Sequence, residues 1–215
     1  MKIEYLGHSC FKLTESTGTS IVCDPYSHEV GYALPKVSAD AVTISHHHFD
    51  HNSAKLVGGN PKVFDRECNA DLDGVGISAI KSFHDGVRGK KRGENIIFKF
   101  RMDGVDICHL GDLGEACSPE LIELILPVNV LLIPVGGNYT IDAEMAKEYV
   151  DRIMPDVVVP MHYRTKDCKI DIDKVDEFLG YFDEEDVEEV EGEITFERSD
   201  FDHAQDTRVI VMRKK

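Results

Sequence analysis

Five side chains of metal-binding types, four histidines and one aspartate, lie in the stretch TISHHHFDHN, residues 43–52. Four of them form the pattern H-x-H-x-D-H, namely His46, His48, Asp50 and His51, and we expect His47 to point away from the cluster. Residues two apart in an extended or tightly turning segment point to the same side, so His46 and His48 can converge on one ion. Asp50 and His51 lie beyond the turn and can face a second ion. A surface histidine tract is the alternative, but a chance cluster would not be matched by further ligands elsewhere in the chain.

Such ligands follow three strand-like segments: His84 after SAIKSF, Asp112 after VDICHLG and His162 after DVVVPM. Ligands usually bind in the crevice beyond the carboxyl ends of strands. One short segment cannot surround a cation and still leave a position open for substrate, so distant ligands are needed. We therefore predict a dinuclear metal centre with Asp112 as the bridge, since a carboxylate has an oxygen for each ion. The predicted ligands are His46, His48 and His84 with Asp112 for one ion, and Asp50, His51 and His162 with Asp112 for the other.

Imidazole and carboxylate ligands without thiolate suit zinc or manganese, and iron is a third candidate. Water held by such a pair is hydroxide near neutral pH and attacks a carbonyl or phosphoryl centre. We expect Asp50 and Asp112 to act in catalysis, Asp50 by orienting the hydroxide. His109 precedes the turn at Gly111 and Asp112, and we expect it to hold a ligand by hydrogen bonding.

The densest basic run, VRGKKRG at residues 87–93, follows His84 closely. One interpretation is a solvated loop, which general experience with charged runs favours. The other is that Arg88 or Arg92, with Lys90 and Lys91 beside them, folds over the site and pairs with an anionic substrate group.

The first half of the chain reads as short strands rich in valine, isoleucine and phenylalanine, with a hairpin turning at Asp103 and Gly104. From Ser118 onwards the pattern changes to amphipathic helices separated by continuously apolar strands. One of these helices is predicted near DIDKVDEFLGYF. In the first half of the chain, a further helix is predicted at NSAKLV, after the histidine cluster. With no repeat and no linker, residues 1–215 are predicted to form a single α/β (α+β) domain.

Composition limits the partners of the protein. Forty acidic and 24 basic residues give a formal net charge of −16, which disfavours binding to nucleic acid or anionic membranes. The acidic run DEEDVEEVEGE, residues 183–193, is interpreted as a solvated surface segment. No apolar run is long enough to cross a bilayer, and a signal-like start is missing, so we expect a cytoplasmic protein with a small-molecule substrate. Self-association into a homo-oligomer stays open.

The ordered segments IEYLGHSCFKL, SHHHFDHN, SFHD, HLGDLG, IPVGGNYT and VVVPMHY, with DP at 24 and 25, resemble the metallo-β-lactamase superfamily. Within it, they are similar to small metal-dependent hydrolases such as L-ascorbate-6-phosphate lactonase. The resemblance implies a four-layer αββα sandwich with the dinuclear site along one edge of the two sheets. It also implies that His8 lies near the site, where it would contact substrate or serve only the structure, and that Asn138 and Tyr139 contact substrate. A turn capped by Thr140 or Asp142 would explain the latter segment equally well.

Three functions are compatible with the predicted metal ligands. The first is a dinuclear metal hydrolase that opens a small ester, foremost a lactone, including one of a phosphorylated sugar. His48 favours hydrolysis, because di-iron relatives of this superfamily carry glutamate at that position. The second is a phosphodiesterase, which would use the same metal pair. The third is a metal-binding protein without catalysis, which the complete ligand set disfavours.

Overall fold

The structure is a computed structural model that describes residues 1–201 and 206–215. Its strands, numbered in chain order, are β1 (Lys2–Gly7), β2 (Cys10–Thr14), β3 (Ser20–Cys23), β4 (Val37–Ser38), β5 (Ala41–Thr43), β6 (Val57–Gly58), β7 (Lys62–Phe64), β8 (Cys68–Leu72), β9 (Val75–Phe83), β10 (Glu94–Met102), β11 (Val105–His109), β12 (Val130–Pro134), β13 (Val157–Met161), β14 (Val187–Glu191), β15 (Glu193–Thr195) and β16 (Arg208–Arg213). Its α-helices are α1 (Pro119–Ile125), α2 (Ala143–Ile153) and α3 (Asp176–Leu179). Single 3₁₀ turns form at His28–Val30, Ala54–Leu56, Glu184–Asp186 and Arg198–Phe201.

Two sheets carry the fold. A six-stranded sheet has the order β15-β1-β2-β3-β5-β7, and an eight-stranded sheet has the order β14-β16-β13-β12-β11-β10-β9-β8. The pairings make β1, β3 and β5 run in one direction. In the larger sheet β9, β11, β12 and β13 also share one direction. The carboxyl ends of these strands therefore collect at one edge of each sheet, where the chemistry-bearing residues follow.

Local sequence explains the main elements. At the hairpin between β10 and β11, Asp103 and Gly104 both have positive φ, as a tight primed turn requires. Ser118 begins α1 by accepting a hydrogen bond from the Leu121 amide, and Asp142 begins α2 by accepting one from the Met145 amide. Every residue of β12 and β13 is buried, as expected of parallel strands covered on both faces.

The largest apolar cluster fills the space between the sheets, with Phe11 and Ile21 on one side and Phe98, Ile107 and Leu132 on the other. The α-helices cover the outer face of the eight-stranded sheet. The outer face of the six-stranded sheet is covered, among the described residues, by loops and 3₁₀ turns around residues such as Tyr26 and Val57. The predicted sandwich fold is confirmed by this architecture, and its second outer layer is thin.

Several elements differ from the sequence prediction. The helix predicted at NSAKLV is only the 3₁₀ turn Ala54–Leu56, and α3 spans four residues. The acidic run is a surface segment, but it also contains β14, which pairs in parallel with β16 at the edge of the larger sheet. Val187 and Val190 lie three positions apart among glutamates, so the run lacks the alternation that signals a strand, and its high charge favours a solvated segment. Strand β8 was also not predicted, although Cys68, Ala70 and Leu72 alternate with Asn69 and Asp71 in a pattern typical of a strand.

Within residues 1–201 and 206–215, no helix combines the length and apolar character that crossing a membrane would require.

Replacing Leu132 by alanine is expected to lower the free energy of unfolding by about 2–5 kcal/mol, because a fully buried side chain between the sheets is lost. Leu124 on α1 is 57% exposed, so replacing it by alanine should change the free energy of unfolding by less than about 0.5 kcal/mol. Urea unfolding of both variants measures the difference. Equal effects would show that Leu132 does not pack in the core as described.

Candidate metal centre

One group of imidazoles gathers where β5 and β9 end. The ligand nitrogens of His46, His48 and His84 all lie within 4.8 Å of one another. The ring centroid of His46 is 4.5 Å from that of His48 and 4.6 Å from that of His84. His46 and His84 are buried, while His48 is exposed. Two of the three ligands therefore come from the histidine-rich turn and one from the facing sheet.

A second group lies beside the first. Ligand atoms of His8, Asp50, His51 and His162 also fall within 4.8 Å of one another. The Asp50 Oδ2 atom is 3.6 Å from His51 Nε2 and 3.3 Å from His8 Nε2. His8 and His162 follow β1 and β13 directly, and both have positive φ. Residues held in this left-handed conformation tend to occur at functional sites.

Asp112 lies between the two groups. One of its oxygens, Oδ2, is 3.4 Å from His84 Nε2 and 3.3 Å from His162 Nε2. The other oxygen, Oδ1, is 3.1 Å from His51 Nε2. The Asn95 side chain accepts a hydrogen bond from the Asp112 amide at 2.9 Å and fixes this turn. A carboxylate in this position can contact ions on both sides.

Asp24 supports the centre, and the sequence analysis did not assign it a role. It follows β3, is fully buried, and accepts hydrogen bonds from the Ser45 amide and hydroxyl at 2.7 and 2.6 Å. Its Oδ2 atom is 2.8 Å from His51 Nδ1, which leaves Nε2 of that ring turned towards Asp112. A carboxylate behind a histidine ligand fixes its ring orientation and tautomer. The only signal for Asp24 was the DP pair at 24 and 25.

The charges of the centre favour a cation. Burial opposes ionisation of Asp112, but the imidazoles of His162 and His51 hold its pKa well below the usual range. Burial alone would lower the pKa of His51, whereas Asp112 and Asp50 raise it well above its usual value. Burial, reinforced by His51, lowers the pKa of His46 to about 3. Three buried carboxylates, those of Asp24, Asp50 and Asp112, therefore lie in one cluster, and divalent cations would neutralise their charge.

The donor set fits a pair of divalent ions. The buried atoms His46 Nε2, His51 Nε2 and Asp112 Oδ1 make no hydrogen bond with any described residue. Buried polar atoms without partners are costly, and bound ions would remove that cost. Nitrogen and carboxylate donors suit zinc, manganese or iron. The group of His46, His48 and His84 would hold one ion, Asp50, His51 and His162 the other, and Asp112 both.

His8 belongs to the second group of donor atoms, while His109 lies behind the ligands. His8 is buried and contacts Asp50, so its position suits holding that carboxylate. His109 donates from Nε2 to the Ser9 carbonyl, 2.9 Å away, and accepts a hydrogen bond at Nδ1 from the Gly111 amide. Since the carbonyl can only accept, Nε2 carries the proton. His109 thus joins the loop after β1 to the turn that carries Asp112, and it acts on backbone groups instead of a ligand side chain.

A cavity of about 540 Å³ opens next to the ligands. Its lining residues are Glu29, His48, Phe49, Asp50, His84, Arg92, Asp112, Tyr139, Lys169, Ile170 and Asp171. Of the predicted substrate contacts, Arg92 and Tyr139 line this cavity, and the Arg92 guanidinium lies 5.3 Å from the centre of the Tyr139 ring. Asn138 joins loops at the rim, donating to the Asp171 carbonyl at 2.7 Å. Arg88 lies near Glu115. Burial raises the pKa of Glu115, and the positive charge of Arg88 partly lowers it again.

The basic loop is folded around Asp85. The carboxylate of Asp85 accepts hydrogen bonds from the backbone amides of Val87, Gly89, Lys91 and Arg92, at 2.8–2.9 Å. Burial would raise the pKa of Asp85, but these amides lower it to about 2. The loop is therefore an ordered structure and not a freely solvated run, and Arg92 is directed to the cavity.

Comparison with known proteins finds a family model and relatives among metal-dependent hydrolases. Residues 2–162 match the model of the family described as Beta-lactamase superfamily domain. A metal-dependent hydrolase of Thermococcus onnurineus is 31% identical over 193 residues, which cover 77% of this chain and 85% of that protein.

Solved structures agree with this. A candidate Zn-dependent hydrolase of the metallo-β-lactamase superfamily from Thermotoga maritima has a TM-score of 0.82 and 39% identity, with 100% of this chain and 99% of that chain covered. A metallo hydrolase from the archaeon Ignicoccus hospitalis has a TM-score of 0.62 and 26% identity, with 84% of this chain and 89% of that chain covered.

Replacing Asp112 by asparagine should leave at most one ion per chain, because an amide cannot supply an anionic oxygen to each of two cations. Metal analysis by mass spectrometry after gel filtration measures this against the wild type. Asp151→Asn on α2 is the matched control, since its side chain is 60% exposed and remote from the centre. Two ions retained in Asp112→Asn would show that the bridge lies elsewhere.

Gly136→Ala should weaken metal binding by about 10- to 100-fold, the range found when groups that support ligands are lost. A Cβ atom at Gly136 would lie 2.2 Å from the His162 carbonyl oxygen, so the His162 backbone must move. Gly76→Ala is the control, because its Cβ would meet only the Arg101 Cβ at an ordinary 3.5 Å. Titration of the metal-free proteins with zinc gives the affinities. Equal affinities would show that His162 is not needed as a ligand.

Proposed function

Because this chain belongs to the metallo-β-lactamase superfamily and is a metal-dependent hydrolase, we propose that it hydrolyses a small cyclic ester, a lactone, at a dinuclear metal centre. The observation that carries the proposal is the pair of ligand groups joined by Asp112, with His48, Asp50, His84 and Asp112 all facing one cavity. Metal ligands that also line a cavity leave room for substrate to reach the ions, as catalytic sites require.

Two divalent ions, zinc or manganese foremost, would supply hydroxide at neutral pH and polarise the ester carbonyl. The chain's own groups position the reactants. Asp50 lines the cavity, and its Oδ2 lies beside His8 and His51, so the carboxylate can accept a hydrogen bond from the attacking water and orient it. Ring opening then needs a proton on the departing alkoxide, which solvent water reaching the open cavity can supply.

The size and charge of the chain support a small substrate over a polymer. A cavity of about 540 Å³ lies in the range that binds single small molecules. The net charge of −16 works against a nucleic-acid substrate. A lactone is favoured over other esters by the similarity of the ordered motifs to small lactonases. Tyr139 and Arg92 are the proposed substrate contacts in the cavity, and Asn138 orders the rim behind them.

Treatment with a chelator should abolish lactone hydrolysis, and added zinc or manganese should restore it. His84→Ala should reduce kcat/KM by more than about 100-fold, because loss of a group that only supports a metal ligand already lowers activity about 10- to 100-fold. Glu123→Gln, on the exposed side of α1, should match the wild type. The measurement is hydrolysis of a panel of lactones and phosphodiesters by the metal-loaded protein.

The panel also tests the alternatives. Cleavage of phosphodiesters with inert lactones would replace the proposed substrate class by the phosphodiesterase hypothesis. Two bound ions with no hydrolysis of any ester would favour a metal-binding protein without catalysis.

A further inference from the structure

The cavity beside the metal ligands contains two cationic side chains from different loops. Arg92 comes from the loop after β9, and Lys169 comes from the loop after β13. The ion pairs that lysine and arginine form among residues 1–201 and 206–215 include neither of them. Within the described part of the chain, Arg92 and Lys169 thus have no carboxylate partner. Two such cations beside a substrate cavity, in a chain of net charge −16, favour an anionic ligand.

Arg92 is held in place without its charge being neutralised. Its backbone amide donates to Asp85 Oδ2 at 2.8 Å, and its Nη2 atom donates to the Asn138 carbonyl at 3.0 Å. The guanidinium also lies over the Tyr139 ring at 5.3 Å. A guanidinium has five N–H donors, so most of them stay available for a planar or tetrahedral oxyanion. A fixed cation loses little further conformational entropy when a ligand binds.

Lys169 is brought to the same cavity by backbone contacts. Its amide donates to the Val30 carbonyl at 2.8 Å, and the next residue, Ile170, is half-buried in the cavity wall. Asn138 accepts from Arg92 through its carbonyl and donates through its side chain to the Asp171 carbonyl at 2.7 Å. One residue therefore ties the two cation-bearing loops together, which keeps both cations at one rim.

We propose that Arg92 and Lys169 form an anion subsite that binds an ionised carboxylate or phosphate monoester on the part of the substrate away from the scissile ester. This inference rests on the proposed function and narrows its substrate to small cyclic esters with such a group. Glu29 and Asp171 also line the cavity, and their carboxylates accept hydrogen bonds from substrate hydroxyl groups. Lys169 is thus a specificity-determining residue that the sequence did not reveal.

The test compares two lactones that differ only in charge, one with a free carboxylate and one with its methyl ester. The metal-loaded wild type should hydrolyse the charged lactone with a kcat/KM higher by about 10- to 100-fold, the value of a charge-assisted contact. Lys169→Ala and Arg92→Gln should each lose most of this preference, measured as the ratio of the two kcat/KM values, through a higher KM for the charged lactone. Lys169→Arg should keep the preference. Lys90→Ala is the matched control, because Lys90 belongs to the same basic loop but does not line the cavity.

A phosphate-bearing lactone in a third arm shows which oxyanion binds better. Equal kcat/KM for the charged and uncharged lactones in the wild type, or an unchanged preference in both Lys169→Ala and Arg92→Gln, overturns the subsite. If no lactone is hydrolysed, the proposed reaction fails, and calorimetric binding of the corresponding six-membered lactams decides the subsite by itself. Tighter binding of the charged lactam, lost in Lys169→Ala, supports it, and equal binding of both lactams overturns it.

Discussion

The structure depends on one buried carboxylate that must be surrounded by imidazoles from both sheets. Asp112 is almost fully buried, and such an anion persists only when positive charge lies next to it. His51 approaches it from the six-stranded sheet, while His84 and His162 approach from the eight-stranded sheet. The edges of the two sheets must therefore be in register with each other for the centre to form. Packing between the sheets and chemistry at their edge are thus parts of the same constraint.

A layer of polar groups behind the ligands maintains this alignment. Asp24 holds His51, Asn95 holds the Asp112 turn, and His109 connects that turn to the loop after β1. Each of these groups is buried and hydrogen-bonded, so moving one would leave several donors or acceptors without partners. This layer gives the ligands their fixed orientation before any ion binds, and preorganisation of this kind is what a catalytic metal site requires.

Strand ends were predictable from sequence because apolar runs stop abruptly at polar residues. His84 and His162 follow such runs directly, which is why ligands 78 residues apart in the chain could be expected at one edge. The contacts of Asp24 and Lys169 were not predictable, since their roles arise from which loops approach in space. The same holds for the 3₁₀ turn after the histidine cluster, where the hydrogen bonds of Ser53 and Leu56 satisfy the backbone without a longer helix.

The acidic strand β14 has a consequence for how copies of the chain meet. It forms the outer edge of the eight-stranded sheet, and Glu188, Glu189 and Glu191 on it are exposed. An open sheet edge normally invites another strand to add to it. Here an added copy of β14 would bring rows of glutamate face to face, and like charges on adjacent strands repel. At this edge, repulsion therefore disfavours continuation of the sheet into a second copy of the same strand.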